Sequence, residues 1–354
     1  MKATHQRCTR CLMPRSYPGI SFDGNGVCNQ CKEFRKKEVF GEELLLEKIR
    51  SGARDKYDCV VGISGGRDSC YVAYLAKRKF NLRVLAVFYD SPFYCKLARQ
   101  NIKDVCDTLD IDVITVTSKN NLEYNLVRNH LMSLAATGTT WGQCMFCHYG
   151  INAILFNIAN EGGIPFVLSG ITKHELWNPG NRMRILLKRV KQLPKSDLLR
   201  FLSCQAKAYI CLVAQRRQFN FPSNNIFNAY KRAKMPSDGV DVIPFFDYVD
   251  WNHKEVERVL IEETGWTKPD EAISWRYDCS LEPLLDCTYK KEFGISTVGL
   301  YLSSLIRSGQ IERDEALAMT QECEDEETLR EKAESVFNFL HIPQRLQTKF
   351  FTAI

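Results

Sequence analysis

Long apolar runs are missing from the sequence, although 45% of its 354 residues are hydrophobic. No segment approaches the roughly 18–20 consecutive apolar residues that a membrane-spanning helix requires. The N-terminus lacks the apolar core of a secretory signal, and we find neither internal repeats nor low-complexity tracts. These absences, with apolar and charged fractions ordinary for globular proteins, predict a cytoplasmic protein without a membrane span and with room for about two domains.

The glycine-rich segment SGGRDS at residues 64–69 has neither the lysine of a Walker A loop nor the GxGxxG pattern. It lies between a short apolar run and a helical pattern, so its two glycines can turn successive N–H groups inward as an anion-binding nest. Ser64 and Ser69 can donate hydroxyls to phosphate oxygens, and Asp68 can hold Mg²⁺ or orient the loop. An ordinary tight turn is the alternative. The segment is similar to the SGGxDS loop with which PP-loop ATP pyrophosphatases grip the departing pyrophosphate.

Short apolar runs alternate with helical spacing downstream of residue 56. The predicted strands are 57–63, 83–89, 112–117, 165–169 and 240–246, and the predicted intervening helices are 70–80, 97–109 and 151–160. This alternation predicts an α/β fold with a doubly wound parallel sheet, of the PP-loop, adenine nucleotide alpha-hydrolase-like type. Asn252 is a predicted helix cap.

We expect three parts in the chain. Residues 1–35 form a zinc-ribbon-like module with four cysteine ligands, and residues 36–250 form the PP-loop ATP pyrophosphatase domain. A basic helical insertion at about 177–237 interrupts that domain. Residues 251–354 form a helical region for a substrate or a partner.

Ligands of open α/β sheets bind at the carboxyl ends of the strands, which predicts further contacts to ATP. The second strand ends at Asp90, and Gly170, Lys173 and Glu175 follow the fourth strand. The predicted ATP-binding residues are Gly62, Ile63, Ser64, Gly65, Gly66, Arg67, Asp68, Ser69, Asp90 and Gly170. The predicted catalytic residues are Ser64, Asp68, Ser69, Lys173 and Glu175.

Two CxxC knuckles near the start, Cys8/Cys11 and Cys28/Cys31, lie sixteen residues apart. Two such knuckles can supply four thiolates to a structural Zn²⁺ ion that fastens a segment too small to have its own core. A redox pair or unligated thiols are the alternatives.

A third CxxC pair, Cys144 and Cys147, falls between the third strand and the next helix, where it should overhang the active site. Cys279 is a candidate third ligand for a metal ion or an iron–sulfur cluster. A catalytic cysteine and a turn packed by buried thiols are the alternatives.

Positive charge is concentrated in one stretch. Residues 176–237 contain thirteen Lys or Arg residues and one acid, Asp197, which leaves a net charge of −6 on the rest of a chain with a net charge of +6. Such a block indicates a phosphate-bearing partner or a solvated helical face.

The order of these features over nearly the whole chain resembles the N-acetyl sugar amidotransferases, PP-loop enzymes associated with bacterial surface-polysaccharide and nonulosonic-acid pathways. The matching pieces are CTRCLMP at 8–14, PGI at 18–20, the second knuckle, the loop at 62–69, the mid-chain CxxC pair, YDC at 277–279 and YLSSLIRSGQ at 301–310.

The resemblance implies that ATP adenylates an acetamido oxygen of a nucleotide-activated sugar and that ammonia then gives an acetamidino group. It implies ATP, Mg²⁺ and Zn²⁺ as cofactors, with a second metal or an iron–sulfur cluster as an addition. It also implies a separate glutaminase, similar to the paired subunits of imidazole glycerol phosphate synthase, as the source of ammonia. Arg182 and Arg184 are candidates for holding the phosphates of the nucleotide sugar.

The main rival is a tRNA sulfurtransferase, because some PP-loop enzymes of that class combine N-terminal knuckles with a mid-chain cluster. The basic stretch would then contact nucleic acid. The chain has no recognisable RNA-binding module and no second C-terminal knuckle, which disfavours a nucleic-acid partner. A non-enzymatic scaffold for the glutaminase is a third interpretation, and the intact Ser64, Asp68 and Ser69 disfavour it.

Overall fold

A five-stranded parallel sheet forms the centre of the computed structural model, which describes residues 6–36, 38–52, 56–175, 182–219, 239–269, 276, 278–323 and 325–352. The strands are β1 (Cys59–Gly62), β2 (Val84–Asp90), β3 (Asp112–Thr117), β4 (Phe166–Ser169) and β5 (Asp241–Pro244). Their order is β3-β2-β1-β4-β5, and all neighbours are parallel. The predicted doubly wound sheet is confirmed. Its order places the switch point, where such folds bind ligands, between β1 and β4.

Fourteen α-helices are described around the sheet and beyond it. They are α1 (Asn29–Glu33), α2 (Glu42–Ser51), α3 (Arg67–Tyr74, continued by a π-helical turn at Leu75–Lys79), α4 (Lys96–Leu109), α5 (Leu122–Leu134), α6 (Gln143–Glu161), α7 (Arg182–Lys191), α8 (Lys195–Gln218), α9 (His253–Thr264), α10 (Glu282–Phe293), α11 (Thr297–Arg307), α12 (Arg313–Cys323), α13 (Glu326–Phe339) and α14 (Gln344–Thr352). None of the helices in these ranges combines the length and the apolar character needed to span a bilayer.

Helices cover both faces of the sheet at its central strands β1, β2 and β4, which are buried except for the last residue of each. Val60 of β1 belongs to a core shared with α5, α6 and α13, whereas Cys59 and Val61 belong to a second core shared with α2, α3 and α9. Successive side chains of a strand point to opposite faces, so a continuous apolar run is what a two-sided strand requires.

Two helical features differ from the expectations. The helix α5 was not predicted, and it packs against α8 of the basic insertion. The helix expected at 151–160 begins eight residues earlier as α6, after Gly142 with φ of +87°. Cys144 and Cys147 therefore lie in the first turns of a helix and not in a loop before it.

The N-terminal module has no core of its own. Leu12, Met13 and Tyr17 are buried in one cluster with residues of α10, α11 and α12. Hydrogen bonds join the two parts, from Leu12 N to Ser303 Oγ at 3.3 Å and from Ser16 Oγ to Phe293 O at 2.5 Å. The module is therefore held against the C-terminal helices and not against the sheet.

Candidate active site

The loop at residues 64–69 is closed by its own serines. Ser64 N donates to Ser69 Oγ at 3.1 Å, Gly66 N donates to Ser64 Oγ at 3.2 Å, and the two hydroxyl oxygens lie 3.1 Å apart. Gly65 has φ of +75°, and a Cβ there would meet the carbonyl oxygen of Ala98 at 2.1 Å. The backbone can take this path only because residue 65 has no side chain.

Groups from distant parts of the chain hold the loop in place. The carbonyl of Gly65 accepts from Trp266 Nε1 at 2.9 Å and from Asn101 Nδ2 at 3.3 Å. Trp251 Nε1 donates to Asp68 Oδ1 at 2.7 Å. Neither tryptophan was predicted as a site residue, because no local pattern links either of them to the loop.

Arg67 occupies the free position of the SGGxDS pattern and is 3% exposed. Its guanidinium contacts His253 Nδ1 at 2.8 Å and the Tyr301 hydroxyl at 2.9 Å, and it lies 3.4 Å from Glu257. Arg67 borders the cavity above the loop, but these contacts direct its guanidinium toward α9 and α11. Its side chain thus fastens the loop to the C-terminal helices.

A cavity of about 210 Å³ lies above the loop, between the carboxyl ends of β1 and β4. Besides Arg67, six of the predicted ATP-binding residues line it: Gly62, Ser64, Gly66, Asp68, Ser69 and Gly170. The predicted catalytic residue Glu175 lines it as well. Leu155, Phe156 and Val167 give it an apolar wall. A phosphate-binding loop beside an apolar wall is the arrangement that an adenine nucleotide requires. We call this space the nucleotide cavity.

Three carboxylates surround the loop side of the nucleotide cavity: Asp68, Glu175 and Asp278. A carboxylate oxygen of Asp278 lies 3.1 Å from the position that a Cβ at Gly66 would take. Burial, and then the charge of Asp68, raises the pKa of Glu175 to about 7. Carboxylate oxygens beside a phosphate site are the ligands that Mg²⁺ takes, so this donor set fits the implied ion.

Arg276 stands opposite these acids. Its Nη2 lies 3.9 Å from Glu175 Oε2, and its Nη1 lies 3.8 Å from Glu282 Oε2. Arg276 and Asp278 were both missed as site residues. The YDC motif at 277–279 was the available signal for Asp278; Tyr277 itself lies outside the described residues.

A second cavity of about 150 Å³ adjoins the first and shares Ser64, Arg276 and Asp278 with it. Cys144, Cys147 and Cys279 all line this space, so the structure brings the three predicted thiols together. We call it the cysteine cavity. Among the described residues, these three sulfur atoms do not all lie within 4.8 Å of one another. Their spacing is therefore wider than that of the ligands of one tetrahedral ion. Burial raises the pKa of the Cys147 and Cys279 thiols.

The N-terminal knuckles form a closed cluster. Cys8, Cys11, Cys28 and Cys31 are buried, and their sulfur atoms all lie within 4.8 Å of one another. The Sγ atoms of Cys8 and Cys31 are 3.9 Å apart, and those of Cys11 and Cys28 are 3.8 Å apart. Zn–S bonds of about 2.3 Å in a tetrahedron place sulfur atoms about 3.8 Å apart. The cluster therefore fits a tetrahedral metal ion and a zinc-ribbon-like module.

Several predicted residues lie elsewhere. Asp90 pairs with Arg99 at 2.8 Å and does not line the nucleotide cavity. Ile63 is buried, with its N–H bonded to Val87 O, and is likewise outside that lining. Lys173 lines a different cavity from Glu175, although both belong to one short 3-10 turn. The side chains of Arg182 and Arg184 fall outside the described residues.

Two family models match separate parts of the chain. Residues 43–135 match the NAD synthase family. Residues 276–351 match the family described as "LPS biosynthesis protein WbpG-like, C-terminal domain". The first match contains the phosphate loop. The second begins at Arg276 and contains Asp278 and Cys279, so both matched segments contribute to the same site.

Two proteins of Methanocaldococcus jannaschii are similar over part of their length. The uncharacterized protein MJ1599 is 30% identical over 197 residues, which is 53% of this chain and 65% of that protein. A probable sulfurtransferase is 25% identical over 162 residues, which is 42% of this chain and 44% of that protein. The chain thus spans less than two thirds of either relative.

Among solved structures, the U34-tRNA thiolase NcsA from Methanococcus maripaludis with its [4Fe-4S] cluster is similar at 17% identity, with 86% of each chain covered and a TM-score of 0.35. That distance is too great to carry an argument about function. The parallel sheet, the loop after β1 and the match to NAD synthase assign the chain a PP-loop α/β fold, as the sequence predicted.

Proposed function

We propose that this chain is an ATP-dependent, AMP-forming amidotransferase that converts an acetamido group of a nucleotide-activated sugar into an acetamidino group. One observation carries the proposal. The segment similar to the C-terminal domain of LPS biosynthesis protein WbpG-like proteins supplies Arg276 and Asp278 to the nucleotide cavity. A segment similar to a lipopolysaccharide-biosynthesis domain therefore lines the candidate ATP site, which favours a sugar substrate.

The proposed reaction has two steps. The acetamido oxygen attacks the α-phosphorus of ATP, and pyrophosphate leaves with the electrons of the broken P–O bond. Ammonia then attacks the imidate carbon and loses a proton, and AMP departs with the former amide oxygen. The amide oxygen is a poor leaving group until it becomes part of a phosphate ester, which is why ATP is required.

The residues of the nucleotide cavity have distinct roles in this scheme. The inward N–H groups of the loop, with Ser64 and Ser69, hold the departing pyrophosphate. Asp68, Glu175 and Asp278 would hold Mg²⁺, which supplies positive charge to the phosphates when it is bound. Arg276 lies beside these acids and can neutralise the α-phosphate as AMP forms.

Ammonia enters this scheme from a separate glutaminase, in the cytoplasm where glutamine and ATP are available. The cysteine cavity adjoins the loop and has largely apolar walls, so it suits passage of neutral ammonia to an intermediate that water would destroy. In the same proposal, a zinc ion at the N-terminal cluster has a structural role, because the four thiols are buried and leave no open coordination position.

The alternative function is sulfur transfer to tRNA. The meeting of Cys144, Cys147 and Cys279 beside Ser64 favours it, as does the similarity to a probable sulfurtransferase. A sulfurtransferase would need the three thiols, as cluster ligands or as sulfur carriers, whereas amidation by free ammonia would not.

The decisive experiment incubates the protein with Mg-ATP, ammonium chloride and a panel of nucleotide-linked N-acetyl and diacetamido sugars. Replacement of oxygen by NH lowers the sugar mass by about 1 Da, with one AMP formed per product. We expect Asp278→Asn to abolish this product and the exposed Asp314→Asn, on α12, to leave it unchanged. A triple Cys144/Cys147/Cys279→Ser variant should retain ammonia-dependent activity. AMP formation only with tRNA and a sulfur donor, lost in the triple variant, would establish the alternative.

A further inference from the structure

A third cavity, of about 290 Å³, lies on the far side of the turn that carries Glu175. Lys173 and His174 of that turn form one wall, and Ser304 and Arg307 of α11 form another. The remaining wall comes from the N-terminal module. No predicted function used this space, although Lys173 was predicted as a catalytic residue.

The charge of this cavity is positive. Lys173 is exposed, and no carboxylate is found among the described residues that line the space. Arg307 closes the last turn of α11, and its Nη1 lies 3.8 Å from Cys11 Sγ, which leaves its other guanidinium nitrogens for a ligand. Burial, and then the charges of Lys173 and Arg307, lowers the pKa of His174 to about 3, so its ring is neutral near pH 7. A cavity with two cations and no acid favours an anionic ligand.

A chain of hydrogen bonds orients the polar groups to donate into the cavity. Gln310 Oε1 accepts from His253 N at 2.8 Å, which directs its amide nitrogen to His174 Nε2 at 3.4 Å. Because that amide nitrogen can only donate, Nε2 accepts and Nδ1 carries the proton of the neutral ring. Nδ1 therefore donates to Ser304 Oγ at 2.9 Å, and Ser304 keeps its own hydroxyl hydrogen for a ligand.

The module wall is mostly apolar, with Gln30 as its polar residue. Met13, Tyr17 and Phe34 line the cavity from the N-terminal side. These residues follow the two cysteine knuckles, so the cysteine cluster holds this wall in place. Met13 and Tyr17 are 2% and 4% exposed, so the half-buried Phe34 offers the ring on which a nucleobase can stack.

The third cavity is coupled to the nucleotide cavity by short contacts. Glu175 lines one and Lys173 lines the other, two residues apart on the same turn. The His174 ring packs on Trp251 with centroids 5.0 Å apart, and Trp251 also donates to Asp68 of the loop. A substrate held here would lie beside the ATP site.

We propose that the third cavity binds the diphosphate of the nucleotide-linked substrate, with Lys173, Arg307 and Ser304 contacting the phosphates and the module wall contacting the base. The identity of the substrate rests on the proposed function; the preference for a diphosphate rests on the cavity itself. The side chains of Arg182 and Arg184 lie outside the described residues, so their contact with the phosphates stays a prediction.

The test measures binding of uridine, guanosine and thymidine diphosphates by calorimetry to the full chain, with α,β-methylene-ATP saturating the phosphate loop. We expect at least one diphosphate to bind. Lys173→Gln should weaken that binding at least tenfold, and Ser304→Ala should weaken it at least threefold. The matched control is Lys103→Gln, an exposed lysine on α4 outside all three cavities, which should bind as wild type. Affinity for the ATP analogue should stay within twofold in every variant.

Two results would overturn the inference. The first is that no diphosphate binds the analogue-loaded protein, or that Lys173→Gln and Ser304→Ala bind it as tightly as wild type. The second is that tRNA, and no diphosphate, binds in a manner lost in these variants. The proposed function fails separately: if the diphosphate binds as expected but no sugar yields AMP, the cavity assignment stands and the amidation falls.

Discussion

Substitution of Gly65 by alanine tests whether the phosphate loop works in the conformation described. An alanine at this position would adopt φ of +75°, and its Cβ would lie 2.1 Å from the carbonyl oxygen of Ala98. Real Cβ atoms essentially never come closer than 3.0 Å to such an atom, so the loop or the start of α4 must move by about 1 Å. Flexible side chains cannot absorb the clash, because the contacted atom belongs to the backbone.

The expected effect has two separable parts. The left-handed conformation costs an alanine about 1–2 kcal/mol of folding free energy. A displacement of about 1 Å in a catalytic group costs about 10²-fold in rate, or about 2.7 kcal/mol of transition-state stabilisation. Gly163→Ala isolates the first part, since Gly163 has φ of +61° and nothing within 4 Å of its added Cβ.

The assay compares both variants by urea unfolding, by ATP affinity and by the rate of AMP formation. We expect Gly163→Ala to lose about 1–2 kcal/mol of unfolding free energy and Gly65→Ala to lose more, because its Cβ also clashes with the Ala98 carbonyl. Only Gly65→Ala should lose at least about 100-fold in kcat/KM. Activity of Gly65→Ala within threefold of Gly163→Ala would refute the argument that this loop path is required.

Three further perturbations give defined outcomes. Trp251→Phe removes the N–H that donates to Asp68; a hydrogen bond to a charged group contributes about 1.5–3 kcal/mol, so steady-state kinetics should show kcat/KM for AMP formation about 10- to 100-fold lower. Burial, and then the carboxylate of Glu282, raises the pKa of Asp286 from 3.8 to about 7, so the folded chain holds a proton that the unfolded chain releases in this range. The free energy of unfolding should therefore fall as the pH rises from 4 to 7, and Asp286→Asn should flatten this dependence in urea titrations. Cys28→Ser should remove one bound metal ion per chain by elemental analysis and lower the thermal midpoint, because the cluster fastens the module onto the C-terminal core.

Each of these outcomes can contradict its premise. Wild-type kinetics in Trp251→Phe would mean that the indole contact does not orient the loop acid. An unchanged pH slope in Asp286→Asn would assign the titration to another group. Full metal content in Cys28→Ser would show that the metal ion is held elsewhere.

Local signals in the sequence were sufficient for much of the fold. Five apolar runs predicted the strands. The rule that a strand covered on both faces is apolar at every position applies to β1, β2 and β4, whereas the edge strands β3 and β5 are largely exposed. Asn252 was a predicted cap, and its side chain accepts from the N–H groups of Lys254 and Glu255 at 3.1 Å. The helix α5 was not predicted from the sequence. Its packing against α8 is seen only in the tertiary structure.

The sequence by itself determined the features whose chemistry lies within a few neighbouring residues. The glycines and serines of the phosphate loop and the spacing of the cysteine knuckles are of this kind, because the backbone conformation and the ligand set are local. Only the tertiary structure decided which distant groups meet them. Asp278 reaches the loop, and the N-terminal module joins the C-terminal helices, through the packing of apolar faces far apart in the chain. The same packing places Lys173 and Glu175, which belong to one turn, at different cavities. The spacing of the two residues in the sequence does not indicate which cavity each one lines.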